Sequence, residues 1–288
     1  MLATSNSRLI TSQLRRFDLL RPSLCLIGVT LIATLLLGFG CGLFCEPGLG
    51  AEVKSPLFSE SPLDRARKIS KESEARFKNQ PTNATAAWQF ARACFDLAEL
   101  ATTDAERAEL AHRGMAACRQ VLDLDPQNAA AHYYLALNLG QLARTKSLGA
   151  LKLLGEMERE AKAVLILDAG FDYSGADRFL GMLYNEAPGW PASLGSRRKA
   201  RAHLFDAIKR SPDYPGNRLY LLEAHLQWGD KRFVPAELSV MEKVMAEGRK
   251  KLVGEEWEES WREWEKRLEK IKRKAAQVPL SSAKQRDQ

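Results

Sequence analysis

The chain is poor in the residues that organise most small enzymes and secreted modules. Only five cysteines occur in 288 residues, and no two stand in a Cys-x-x-Cys pair, which argues against a structural zinc site and against thioredoxin-like chemistry. Three of them, Cys25, Cys41 and Cys45, lie in or beside an N-terminal apolar run. The other two, Cys94 and Cys118, would be offset by roughly 12 Å along facing helices at ~1.5 Å per residue, too far for a disulfide. They read as small buried apolar side chains. The four histidines (His112, His132, His203, His225) are scattered and form no His-Glu-x-x-His, so neither a metal nor a cofactor is expected. No serine sits in a nucleophile-elbow context, and no Gly-rich phosphate loop follows a strand pattern. Glu255-Glu256 and Glu258-Glu259 fall on the polar side of a helical pattern. These absences exclude the common catalytic constellations, and no enzymatic activity is expected.

A marked excess of one charge sign is also lacking. Lys and Arg number 43 against 36 Asp and Glu, and the excess is spread thinly, with no basic stripe interleaved with aromatics. A nucleic-acid partner is therefore not expected.

Long hydrophobic runs are lacking except at one place. Leu24–Phe39 carries no charge and follows Arg8, Arg15, Arg16 and Arg21. That is the layout of an export signal or a short retained anchor over residues 1–51. Cleavage near Gly50-Ala51, lipidation of Cys41 and retention as an anchor stay open. Each places the rest of the chain in a bacterial periplasm or cell envelope, with membrane contact through the N-terminal segment alone.

Past residue 60, proline and glycine are confined to punctuation and no strand alternation of useful length appears, so the body reads as helix. It repeats. Trp88-Gln-Phe-Ala91-Arg92-Ala-Cys-Phe95 aligns with His132-Tyr-Tyr-Leu135-Ala136-Leu-Asn-Leu139, with Asp177-Arg-Phe-Leu180-Gly181-Met-Leu-Tyr184 and, more weakly, with Tyr220-Leu-Leu-Glu223-Ala224, at steps of 44, 45 and 43 residues. The segments ending at Pro126, Asp168 and Pro212 close each unit with an apolar anchor five residues earlier. A small residue at Ala136 or Gly181 lets a partner helix approach, and the bulky residue a turn away fills the groove.

These blocks resemble tetratricopeptide repeats, with Leu180, Gly181, Tyr184, Ala200, Leu204, Ala207 and Pro212 in the consensus places. The units are longer than the usual repeat of about 34 residues, and the count places the extra length inside each helix pair. HEAT or armadillo repeats fit the period but not these pairings. The resemblance implies an all-α fold, a right-handed α-solenoid of about four long tetratricopeptide-like helix pairs over 80–252; the residue pattern adds a linker and leader helix over 52–79, a C-terminal capping helix over 253–277 and a disordered tail over 278–288. The stretch Gly175–Ala200 also resembles the periplasmic tetratricopeptide proteins associated with TRAP transporters, which implies a scaffold facing a solute-binding protein.

In that repeat type the first helices line the inner face. Carried over, the partner-facing positions are Gln89 and Asp96; Tyr133, Leu137 and Gln141; and Arg178, Met182, Asn185 and Glu186. Trp190, in the loop Ala187–Gly195, is either a plug for the helix ends or a lip over the groove. The mixed lining suits a peptide segment of an envelope protein, or a small organic ligand in a closed pore, which is the alternative function. At the C-terminus, Trp257, Trp261, Trp264, Leu268 and Ile271 form an apolar stripe that either caps the solenoid or docks a partner. Glu258-Arg262, Glu263-Arg267 and Glu269-Arg273 are expected to pair across one turn.

Overall fold

The computed structural model describes residues 61–146, 149–189 and 193–276. Cys41 and the export segment, Trp190 and the tail lie outside the described residues. Ten α-helices follow one another: α1 (Pro62–Asn79), α2 (Ala84–Leu100), α3 (Asp104–Leu124), α4 (Ala129–Arg144), α5 (Ala150–Asp168), α6 (Phe171–Glu186), α7 (Arg197–Arg210), α8 (Pro215–Trp228), α9 (Val234–Lys251) and α10 (Glu255–Ala276). Among the described residues there is no named strand, and no helix is long and apolar enough to cross a membrane.

Local signals start and stop these helices. Asn83 and Asn128 accept from the backbone N–H groups of Ala86 and Ala131, and each follows a proline by two residues (Pro81, Pro126). One Pro-x-Asn device thus sets the entry of α2 and, 45 residues later, of α4. Ser61, Thr103 and Ser196 cap α1, α3 and α7 in the same way. Gly229 ends α8 at φ 75, where a Cβ is disfavoured.

The helices pair as α2/α3, α4/α5, α6/α7 and α8/α9, and the first helices of successive pairs, α2, α4, α6 and α8, touch one another in order. This is the all-α solenoid that the repeat implied. The extra length lies within the pairs: α3 and α5 run to 21 and 19 residues, and the third pair carries a loop between Glu186 and Arg197. Gly181 shows the close packing at work, since a Cβ there would stand 2.7 Å from the Leu204 side chain of α7. Ala136 is fully buried. In the first unit the matching place is Arg92, a departure that shapes the site below.

The core is in two main parts. The larger runs from α2 to α8, and both Cys94 and Cys118 sit in it as free, buried thiols; burial pushes the Cys94 thiol up to about 12. The second is built from Tyr214, Leu219, Leu222, Val234 and Met241 against the Trp257, Trp261, Trp264, Leu268 and Ile271 face of α10. That stripe is therefore spent on the chain's own last pair, as a cap on the solenoid. Ion pairing on α10 goes beyond the one-turn expectation, with Glu263 acting on Arg267 as expected. Arg262 takes Glu259 at 2.6 Å, while Arg267 reaches across to Glu223 of α8 with two bonds of 3.0 and 2.8 Å. A forked Arg–carboxylate contact between helices exceeds what a one-turn pair offers.

Candidate partner-binding face

The wall of first helices is backed by a buried polar seam. On α2, Arg92 and Asp96 approach to 3.6 Å. Glu99, one turn on, receives Arg144 of α4 at 2.9 Å and the side-chain amide of Gln141. On α6, Arg178 is the hub. Its guanidinium donates to the Asp172 carboxylate (2.7 Å), the Asn217 side-chain oxygen (2.9 Å), the carbonyls of Asp172 and Tyr173 (both 3.2 Å) and the Tyr133 hydroxyl (3.4 Å). Tyr133 donates to Asp172 at 2.6 Å. Arg178 also lies 5.0 Å over the Tyr214 ring.

Electrostatics follow from burial. Removal from water raises the Asp172 carboxyl above its ordinary value, although Arg178 and the Tyr133 hydroxyl pull the other way. Desolvation raises Asp96 to about 7 against the nearby Arg92, and Glu99 is raised by the same cause against Arg144. Burial disfavours the Arg178 charge, but the groups around it, Tyr133, Tyr214 and Asp172 among them, more than offset this, and its pKa rises.

The seam holds an unusual backbone. Asp172, Tyr173 and Ser174 have φ of 51, 54 and 62, a left-handed turn at the start of α6. Such a conformation costs roughly 1–2 kcal/mol per non-glycine residue. Arg178 ties down two of its carbonyls, and the Asn217 side-chain amide also donates to the Tyr173 carbonyl at 3.1 Å. The turn presents Phe171 to Tyr133, Tyr134 and Trp88 on one side. It stacks Tyr173 on Tyr214 with centroids 4.6 Å apart, edge-on to Trp257, on the other. The left-handed turn therefore rivets the large core to the C-terminal core.

The residues expected to face a partner fall into three groups. Tyr133, Leu137, Gln141, Arg178 and Met182 are buried, and Tyr133 and Arg178 are brought together as structural elements of the wall. Their size and polarity serve the interior, because the turn at 172–174 lies over them. Gln89, Asn185 and Glu186 are half-buried and reach solvent, while Asp96 stays in the seam beside Arg92, its side chain 16% exposed. Asn185 accepts from the Trp228 indole at 2.6 Å and donates to Gln227 at 2.8 Å, and Arg197 and Arg201 lie over the Trp228 ring. Asp172, Asn217, Glu99 and Arg144 were not among the expected residues. One signal for Asp172 was present: the third unit starts without the Pro-x-Asn of the first two. In the connecting loop, Gly195 donates to the Pro188 carbonyl at 2.8 Å, and a Cβ there would stand 2.1 Å from the Ala187 carbonyl oxygen.

Fold and wall together define the class: an all-α helical-repeat solenoid of four pairs with a leader and a cap. Within that class, residues 58–151, about a third of the chain and most of it α1 to α4, match the model of a family described as Regulator of microtubule dynamics protein 1-3. No curated protein matches the chain.

Proposed function

We propose that the chain is a non-catalytic scaffold of tetratricopeptide type, exported to a bacterial periplasm or envelope, that holds a peptide segment of another envelope protein along its wall of first helices. The observation that carries this reading is the wall. Four helices lie side by side over an ion-paired backing, with amide and carboxylate side chains (Gln89, Asn185, Glu186) at its solvent edge. A backing locked by Arg178 and Arg144 is already ordered, which lowers the entropic cost of binding an extended segment. The rings of Trp88, Tyr133 and Tyr134 pack on the chain's own Phe171, so they are spent on the interior, which favours a protein partner at the wall's edge over a free solute held by these rings. The matching family is named for regulation rather than for a reaction, which supports a binding role for residues 58–151. The resemblance of Gly175–Ala200 to TRAP-associated proteins makes a transporter's solute-binding component the first partner to try.

The test is affinity capture from envelope extract with the full chain, its Gln89→Arg/Glu186→Arg variant and a Lys209→Glu variant on the outer face. Loss of one partner from the inner-face variant alone is the expected result. Recovery of the same partners by all three chains would end the proposal.

A further inference from the structure

Two histidines bridge a first helix to a second helix, and they are not equivalent. In the α4/α5 pair, His132 Nδ1 meets Glu160 at 2.6 Å, and its Nε2 is taken by the Pro126 carbonyl at 3.0 Å. Both ring nitrogens are committed, and the arrangement is a structural staple. In the α6/α7 pair the roles are exchanged. Asp177 on α6, 1% exposed, receives His203 Nδ1 of α7 at 2.8 Å and Arg210 Nε at 3.1 Å. Here His203 Nε2 has no hydrogen-bond partner among the described residues. One turn along α7 lies Asp206, an exposed carboxylate likewise without a partner among the described residues.

The geometry points to a binding site for a zinc-type divalent cation at His203 and Asp206, with Asp177 behind the imidazole; the three residues place candidate donor atoms within 4.8 Å of one another. Each part of such a site has a counterpart. Asp177 holds the ring through Nδ1–H and leaves the Nε2 lone pair for the ion, the carboxylate–histidine–metal arrangement that fixes tautomer and raises ligand basicity. Tyr184 stacks on the same ring, with centroids 5.5 Å apart, and limits its rotation. Asp206 adds a carboxylate on a side chain free to turn inward. His203 is 21% exposed, so an ion can enter from solvent and keep water in its remaining positions. Imidazole with carboxylate oxygen suits Zn(II) and its first-row neighbours. Arg210 is no obstacle, since it takes the Asp177 oxygen that His203 leaves, on the side of the carboxylate away from Nε2, and its side chain is 49% exposed. The separation of 26 residues between Asp177 and His203 explains why spacing in the sequence did not reveal the cluster. This site is independent of the proposed partner face, because α7 is the outer helix of its pair.

The experiment is a calorimetric titration of untagged full chain with Zn(II) at pH 7.5, with a thermal melt in the same buffer. One saturable equivalent and a rise in melting temperature are expected. Asp206→Asn, an exposed change that leaves the fold intact, should weaken binding at least tenfold, and His203→Gln should remove it. Circular dichroism confirms that each variant is folded. Absence of saturable binding to the wild type, or binding to Asp206→Asn as tight as to the wild type, overturns the site.

Discussion

Replacing Arg178 by methionine tests the seam most severely. The side chain keeps its approximate length, but Asp172 loses its cation at 2.7 Å, and the carbonyls of Asp172 and Tyr173 lose a donor. Removing one member of a buried ion pair costs about 3–5 kcal/mol, because the other charge is left uncompensated. The left-handed turn, already strained, also loses a tether, so an overall loss of about 4 kcal/mol is expected. The sign of the pH dependence follows from Asp172. Its carboxyl is raised by burial in the wild type and rises further without Arg178, so the variant is least destabilised at low pH and loses stability as the pH climbs toward neutrality. Urea unfolding followed by far-UV circular dichroism at pH 5 and pH 7.5 measures both effects. The double variant Arg178→Met/Asp172→Asn removes both charges and should recover much of the loss. A cost for Arg178→Met below about 1 kcal/mol, or a double variant no more stable than the single one, would refute the rivet.

Other positions offer independent checks. Asp96 has a folded pKa of about 7, above the usual 3.8, so stability present below pH 4 declines as pH rises to 7. The decline is as much as about 4 kcal/mol for a sealed group and less for a side chain 16% exposed; Asp96→Asn should flatten that slope in urea titrations. Gly195→Ala drives a Cβ against the Ala187 carbonyl oxygen, and an overpacking loss of about 1–3 kcal/mol should appear as a lower melting temperature. Trp261→Ala empties the centre of the C-terminal core, where the indole is fully buried and donates to the Leu252 carbonyl at 2.8 Å. A loss of about 3–5 kcal/mol is expected, with hydrogen exchange rising in α10 before α2 to α4.

The helix pairs were legible because close packing leaves a periodic trace. The small residues Ala136 and Gly181 and the closing Pro126, Asp168 and Pro212 recur at a nearly fixed step, and recurrence needs no knowledge of contacts. The Trp stripe of α10 was legible as an apolar face for the same reason, and the fold decides between its two readings by burying it. The interior of the wall was not legible. Whether Tyr133 and Arg178 point to solvent or inward depends on what lies over them. The cover is a left-handed turn at Asp172–Ser174, a backbone state that propensity assigns to glycine. The long-range partner on α10 was hidden for a related reason: Arg267 takes a carboxylate on α8, 44 residues away, in addition to the pull of Glu263 on its own helix, and local spacing counts only neighbours on one helix. Long-range partners of charged residues are set by the stacking of units, which only the folded chain supplies.

The central claim is that the chain works through its inner wall. A photo-activated cross-linking residue placed singly at Gln89, Glu186, Lys152 or Lys209 in the full chain, in envelope extract, tests it most directly. The account predicts one common adduct from Gln89 and Glu186 and none from Lys152 or Lys209 on the outer helices. Adducts from the outer positions alone, or different adducts from the two inner ones, would contradict it.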